Sequence, residues 1–175
     1  MRKLGSLLVC AAALSLFCAP GLQAQDDVEE AIADFVEADA STQWWFDNSY
    51  AYAVFPSVGK GAFGIGGAHG SGWVYEQGRL VGRTKLTQVT IGLQLGGQAY
   101  REVVFFKDET ALEDFKRGNF ELSAQASAVA ITAGVSGDIS YNGGVAIVTI
   151  AKGGLMYEAS VGGQKFSYDP EDDNE

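Results

Sequence analysis

Residues that carry covalent or metal chemistry are scarce in this chain. Among 175 residues there are two cysteines, one histidine and three prolines, and both cysteines, Cys10 and Cys18, stand in an apolar leader. A structural zinc site takes about four side-chain ligands, mostly Cys and His, and a disulfide would need two thiols outside the leader. We therefore expect no metal site, no disulfide and no cofactor, so that packing alone stabilises the fold.

The one histidine also lacks the surroundings of a catalytic group. His69 lies between Ala68 and Gly70, and no G-x-S-x-G elbow accompanies it. Residues 59–64 match the dinucleotide-binding pattern G-x-G-x-x-G. That pattern must open a helix whose N-terminus faces the phosphates, and the glycine-rich residues that follow do not sustain one. We predict a loop position for His69 and a protein that is not an enzyme.

The first 24 residues have the pattern of a secretory signal peptide. A short basic start precedes the apolar residues 4–19, a run too short for a comfortable membrane span. Phe17 makes Cys18 a poor site for lipoprotein processing, so we predict cleavage after Ala24. The chain would then be exported, to the periplasm or beyond, and could lie at the periphery of a membrane.

Acidic residues are concentrated at the two ends of the exported chain. Residues 26–39 hold seven acids and no base, and residues 169–175 hold five acids and no base. Residues 40–168 hold ten of each, so the body is neutral. Such a protein does not attract nucleic acid by bulk charge, and an anionic partner would need a local basic patch. We predict one domain over residues 25–168 and an acidic disordered tail over residues 169–175.

Apolar spacing predicts an α+β domain. Helical periodicity indicates helices over residues 26–40, 43–48 and 108–117, the last with Asp108 as N-cap. A period of two indicates strands near residues 52–55, 61–68, 71–76, 79–83, 86–95 and 99–106, with a tight turn at Gln77-Gly78. Twelve of the 23 glycines lie in residues 59–97. Because excess glycine in strands marks bends and bulges, we predict a strongly curved antiparallel sheet or a small closed β-barrel, with an N-terminal helix pair and one mid-chain helix packed on it.

The second half of the chain gives a less uniform pattern. Residues 123–133 are ambiguous, because their many alanines favour a helix whereas Val129 and Ile131 favour a strand. The run Tyr-Asn-Gly-Gly at residues 141–144 predicts a hairpin turn. Residues 145–151 are apolar on both faces and predict a central strand, and residues 155–161 predict a further strand.

Three adjacent aromatic residues, Trp44, Trp45 and Phe46, follow the first predicted helix. They cannot all face one side of a helix. One interpretation is core packing; the other is contact with an apolar partner or a membrane interface, where tryptophan is enriched.

Positive charge gathers in the glycine-rich half of the chain, where Glu76 is the single acid before Glu102. Arginine and lysine side chains at strand ends are suited to hold a phosphate head group. The alternative is a scattered, solvated surface. The candidate head-group ligands are Lys60, Arg79, Arg83, Lys85 and Arg101.

Four stretches together resemble the SYLF domain, also called the Ysc84-type domain. They are AVFPSVGKGAFGIGGA at residues 53–68, GLQLGGQ at 92–98, VVFF at 103–106 with a following Ala-Leu and Phe115, and SAQASA at 123–128. The resemblance implies a non-enzymatic module that binds phospholipids, phosphoinositides in eukaryotic members. Some relatives use a basic amphipathic N-terminal helix for membrane contact, and the acidic helix of this sequence departs from that pattern.

The sequence therefore predicts a lipid-binding or membrane-surface module of the cell envelope, with an anionic phospholipid as partner and no nucleic acid. One rival is a structural or protein-interaction domain of the envelope. The other is a small outer-membrane β-barrel, for which the acidic helix and the charged C-terminus are unfavourable.

Overall fold

The computed structural model describes residues 20–63, 65–91, 98–117, 129–130, 138–152 and 163–171. These form an α+β arrangement, as predicted. The helices are α1 (Pro20–Ala38), α2 (Thr42–Asn48) and α3 (Glu109–Lys116). The strands are β1 (Ala51–Phe63), β2 (Ile65–Glu76), β3 (Arg79–Ile91), β4 (Gln98–Phe106), β5 (Val129–Ala130), β6 (Val145–Ala151) and β7 (Gln164–Pro170).

The helices begin and end where short-range signals place them, except at the start of α1. The Asp108 side chain caps α3 by accepting a hydrogen bond from the Ala111 N–H at 3.0 Å, as predicted. Ser41, at the N-cap position of α2, makes no side-chain cap hydrogen bond. Instead the Ser41 N–H donates to the Asp39 carboxylate at 2.9 Å, and the buried Thr42 hydroxyl donates to the Asp39 carbonyl at 2.7 Å. These bonds hold the sharp corner between α1 and α2.

The strands are longer than the local patterns predict. The predicted strand 52–55 and the start of the predicted strand 61–68 are joined through Pro56 into one β1, which ends at Phe63, and the rest of 65–68 belongs to β2. The register along β1 shifts between Val54 and Ser57, and this bulge accommodates the proline, which has no N–H for the ladder. The turn between β2 and β3 lies at Gln77 and Gly78, both with positive φ, as predicted.

The sheet order among the described residues is β5-β6-β4-β1-β2-β3-β7. Six strands pair antiparallel, and the short β5 is parallel to β6. Within the part of the chain that the structure describes, β5 and β7 remain the two ends, so the pairing does not close into the barrel considered above. The strand β6 is buried along almost its whole length, as predicted for a central strand.

Each face of the sheet carries its own core. On one side, here called the α1 face, Val28, Ala31 and Phe35 of α1 pack with Val54, Val103 and Phe105. On the opposite side, the α3 face, Leu112 and Phe115 of α3 pack with a larger set that includes Phe55, Leu86 and Phe166. Strand side chains alternate between these faces, so neighbouring positions of a strand point to opposite sides of the sheet.

A polar contact crosses the α3 face. Gln164 of β7 donates from its side-chain amide to the Glu102 carboxylate at 2.9 Å and to the Tyr100 hydroxyl at 3.2 Å, both on β4. All three side chains are buried. Burial and the negative charge of Glu102 raise the pKa of Tyr100, so its hydroxyl stays protonated.

A second polar contact ties α3 to the β2–β3 turn. The Tyr50 hydroxyl donates to the Glu76 carboxylate at 2.6 Å, and the Lys116 ammonium donates to it at 3.2 Å. The bond from Tyr50 holds the pKa of Glu76 below its ordinary value. Because the Tyr50 hydroxyl donates its proton to this bond, the bond also raises the pKa of Tyr50 to about 12.

The first residues of the predicted tail lie in and beside β7. Asp169 and Pro170 belong to β7 and lie opposite Arg83 and Gly82 of β3, and the Glu171 N–H donates to the Val81 carbonyl at 3.1 Å. Predictions for residues 1–19, 64, 92–97, 118–128, 131–137, 153–162 and 172–175 lie outside the described residues. None of the helices in the described part of the chain combines the length and the apolar character that a membrane span needs.

Candidate functional site

A polar groove lies on the α1 face where α1 no longer covers the sheet. Its volume is about 580 Å³, and its outward-facing side chains come from β2, β3 and β7. We call it the β2–β3–β7 groove, and define it by Ser71, Trp73, Arg83, Lys85, Ser167 and Asp169.

The strand register arranges these side chains in two rows. Trp73, Arg83 and Asp169 lie side by side in one row, and Ser71, Lys85 and Ser167 form the next. Directly opposed residues on neighbouring strands have Cβ atoms about 5 Å apart. Lys85 therefore has a serine as its cross-strand neighbour on each side, and Arg83 lies two residues away on the same face.

Carboxylates lie at one end of the groove. Arg83 Nε is 3.5 Å from Glu171 Oε2, and both side chains are substantially exposed, at 63% and 41%. Asp169 is the cross-strand neighbour of Arg83. An exposed pair of this kind contributes about 0.2–1 kcal/mol, so an incoming anion with more than one oxygen can displace Glu171 from Arg83.

The groove includes two of the five predicted head-group ligands, Arg83 and Lys85. Arg79 is exposed at the start of β3, beside the β2–β3 turn, four residues before Arg83 and outside the groove lining. Lys60 lies in β1 opposite Ala68 and Gln98, and its side chain is outside the described part of the structure.

Arg101 lies apart from the groove. Its side chain is only 5% exposed and lies under α1, where the same terminal nitrogen meets carboxylate oxygens of Glu30 and Asp34 at 2.6 Å each. A further terminal nitrogen donates to the Pro56 carbonyl at 3.1 Å. Arg101 therefore fastens the acidic helix to the sheet, and has no access to an external head group.

The aromatic run is divided between core and solvent. Trp45 packs on Phe105 and Tyr141 at ring separations of 5.7 and 4.8 Å. Phe46 likewise packs on Phe105, at 5.0 Å. Trp44 is 59% exposed, the one large hydrophobic side chain so exposed in the described part of the chain. Core packing thus accounts for Trp45 and Phe46, and leaves Trp44 for an external contact.

His69 is placed differently from the prediction. It lies within β2, opposite Gly59 and Thr87, rather than in a loop, and its side chain is exposed. The described residues contain no cluster of three or more His, Cys, Asp or Glu side chains that could hold a metal ion.

Sequence reasoning missed Trp73, Ser71 and the whole of β7. The signal for β7 was present as an alternation over residues 164–168, where the buried Phe166 alternates with the exposed Lys165 and Ser167. The groove itself had no local signal, because it exists only when β7 pairs with β3 in this register.

An open α+β domain with an exposed polar groove has the form of a binding module. A family model described as "Ysc84: Las17-binding protein actin regulator" matches residues 87–175, just over half of the chain. The chain belongs to this family, whose domain is also called SYLF, as its sequence motifs predicted. Domains of the family are generally binding domains, and none of the comparisons gives evidence of catalytic activity.

The chain is also similar to a curated protein, Beta cell expansion factor A of Aeromonas veronii. The two are 29% identical over 132 residues, which is 74% of this chain and 49% of the relative. The chain thus spans about half the length of this curated relative.

Proposed function

We propose that the protein binds the head groups of anionic phospholipids through the β2–β3–β7 groove, without chemical turnover. The observation that carries the proposal is the second row of the groove, where exposed Lys85 lies between Ser71 and Ser167 with Arg83 beside it. A phosphate takes charge-assisted hydrogen bonds from ammonium and guanidinium groups and ordinary ones from hydroxyls. These are the groups that the two strands present.

Trp73 supports a lipid rather than a free phosphate as the ligand. Its ring is partly buried against the α1-face core and borders the groove. Tryptophan rings favour the head-group level of a bilayer, where one edge is apolar and the other wet. The groove thus combines an anion site with an interfacial ring, as membrane contact requires.

The location and boundaries of the module are part of the proposal. The apolar leader supports export to the periplasm or beyond after cleavage at Ala24, and residues 25–168 with the rest of β7 form one domain that lies peripherally at a membrane. Intact mass of the protein from its native host tests the leader. A mass that begins at Gln25 supports export by simple cleavage, and a lipid-modified Cys18 terminus contradicts it.

The strong curvature of the sheet is likewise proposed. Strands β4 and β7 are four strand spacings apart in the sheet order, which is about 19 Å in a flat sheet. The hydrogen bond of 2.9 Å between Glu102 and Gln164 supports a sheet that bends towards its α3 face. Such a bend would turn the α1 face, with the groove, outward to an extended surface.

Vesicle co-sedimentation tests the groove. The variant Arg83→Gln/Lys85→Gln should bind anionic vesicles about thirtyfold more weakly than the parent, because each cation near an anionic surface contributes about 1 kcal/mol. The matched control is Lys107→Gln/Lys152→Gln, which removes two exposed cations that do not line the groove. Equal binding by the two double variants would show that total charge, not this groove, governs the interaction. A competition arm with inorganic phosphate separates a lipid site from a general phosphate site.

A further inference from the structure

The helix α1 carries two apolar stripes, and the sheet uses one of them. Val28, Ala31 and Phe35 are buried in the α1-face core. Ile32 and Val36 are only half buried and Ala33 is exposed; Ile32 touches the edge of the same core and keeps part of its surface outside it. A helix that packs on a sheet needs one apolar stripe, so the second is available for another contact.

The second stripe forms the floor of a groove between α1 and α2. Its volume is about 470 Å³; its floor is Ile32, Ala33 and Val36, and Gln43 of α2 stands opposite. Glu29 and Glu37 line it at either end of the stripe. We call it the α1–α2 groove. The positions 29, 32, 33, 36 and 37 repeat at helical spacing, which is the pattern that one helix presents to another.

The carboxylates of α1 divide into two sets. Glu30 and Asp34 are paired with Arg101 and face the sheet. Glu29 and Glu37 are exposed, and among the described residues no arginine or lysine lies within ion-pair distance of either. The groove therefore offers an apolar floor with a negative charge at each end.

We propose that the α1–α2 groove docks a basic amphipathic helix of a partner protein. Apolar side chains of that helix would fill the floor, and its lysines or arginines would meet Glu29 and Glu37. A second copy of this chain would bring the same carboxylates against each other, and an anionic membrane would be repelled. Charge complementarity thus selects a cationic helix among the possible occupants.

The site is independent of the lipid groove. None of its lining residues belongs to β2, β3 or β7. The exposed Trp44 follows Gln43 directly on α2, so its fluorescence reports on this groove. The variant Trp44→Phe gives the fluorescence of Trp45 and Trp73 alone, which is subtracted from that of the parent.

The test uses two labelled peptides of about 18 residues, five helical turns long. One carries leucine and lysine at helical spacing, and the other has glutamate in place of lysine. Fluorescence anisotropy with the whole protein should show saturable binding of the lysine peptide and none of the glutamate peptide. The variant Glu29→Gln/Glu37→Gln should weaken binding about tenfold, since each lost pair accounts for a few-fold in affinity.

Two further variants separate docking from general attraction to an acidic protein. Asp26→Asn/Asp27→Asn removes the same charge from exposed positions of the same helix outside the groove lining, and should change the affinity less than twofold by screening at physiological salt. Ile32→Ala/Val36→Ala keeps the charge and should weaken binding about tenfold by loss of apolar contact. Circular dichroism melting confirms that each variant is folded at the assay temperature. The variant Arg83→Gln/Lys85→Gln should bind the peptide as the parent does, whatever its affinity for vesicles.

Four outcomes of the peptide and sedimentation experiments overturn the proposal, and a fifth comes from vesicle binding. They are equal binding of the two peptides, equal loss in the two acidic double variants, no saturable binding of the lysine peptide, and a dimer in sedimentation that Ile32→Ala/Val36→Ala dissociates. Loss of vesicle binding in that last variant would assign the groove to a membrane instead.

Discussion

The ion-pair cluster under α1 makes an asymmetric prediction about stability. The Arg101 guanidinium is almost fully buried, whereas its partners Glu30 and Asp34 keep 66% and 39% of their side-chain surface in solvent. The variant Glu30→Gln/Asp34→Asn removes both carboxylates. The buried Arg101 cation then keeps its hydrogen bond to the Pro56 carbonyl but has no negative charge beside it. Removing the cation, by Arg101→Met, leaves two carboxylates that water can solvate. The first change should therefore destabilise the fold more than the second.

The magnitudes follow from burial. Removing the partner of a buried charge costs about 3–5 kcal/mol, and the partial exposure of the two carboxylates places the double variant near the lower limit, at about 3 kcal/mol. Each single variant retains one carboxylate and should cost about 1 kcal/mol. Arg101→Met loses the contacts with Glu30, Asp34 and the Pro56 carbonyl but fills the same space with apolar atoms and leaves no buried charge, at a cost of about 1–2 kcal/mol.

Urea unfolding of the parent, the two single variants, the double variant and Arg101→Met measures these differences. The variant Glu29→Gln/Glu37→Gln is the matched control, because it removes equal charge from the same helix and should change stability by less than about 0.5 kcal/mol. The reasoning is refuted if the double variant loses no more free energy of unfolding than the two single variants lose together. It is also refuted if Arg101→Met is the least stable variant of the set. Full vesicle binding by Arg101→Met would separately support the exclusion of Arg101 from the head-group site.

Three other predictions concern a close packing contact, a pH dependence and the C-terminal acids. Gly72→Ala should lower the free energy of unfolding by about 1–3 kcal/mol, because a Cβ there would come within 2.6 Å of an aromatic ring and 2.7 Å of a carbonyl oxygen on β1. The control is Gly59→Ala, where no atom lies within 4 Å of the added carbon. Its free energy of unfolding, measured in the same way, should change little. The hydrogen bond from Tyr50 to Glu76 raises the folded-state pKa of the phenol from 10.0 to about 12, so its contribution to stability is complete below pH 10 and is lost as the pH rises towards 12. Tyr50→Phe should abolish that loss and raise the pKa of Glu76 towards its ordinary value in an NMR titration, and an unchanged Glu76 pKa would count against the bond. Truncation before Glu171 should strengthen vesicle binding at low salt and matter less at high salt, because the competing carboxylate at Arg83 is gone; equal binding at both salt concentrations would contradict this.

Local patterns in the sequence were sufficient for several elements. The apolar spacing of α1, the capping aspartate of α3 and the Gln77-Gly78 turn each depend on residues within four positions of one another. Such features follow from local geometry alone, namely the 3.6-residue helical period, the helix cap and the positive φ of a two-residue turn. The SYLF resemblance was likewise readable, because its motifs are contiguous stretches of chain.

The candidate site depended on tertiary structure at every step. Arg83 and Arg101 look alike in the sequence, both within strands of the glycine-rich half. The fold separates them by placing Glu30 and Asp34, about seventy residues earlier in the chain, directly over Arg101, while Arg83 on β3 keeps 63% of its side chain in solvent.

The sequence by itself determined the types of the elements from α1 to α3, the acidic character of α1 and the family. Only the tertiary structure decided which cations are exposed, because that depends on strand register, which reverses the side-chain face with a one-residue shift. Register here is set by long-range pairs such as β7 with β3 and by the bulge at Pro56, which let β1 continue through a residue that local reasoning treats as a break. The energies of these contacts come from burial between residues distant in the chain, and no short window of sequence contains both partners.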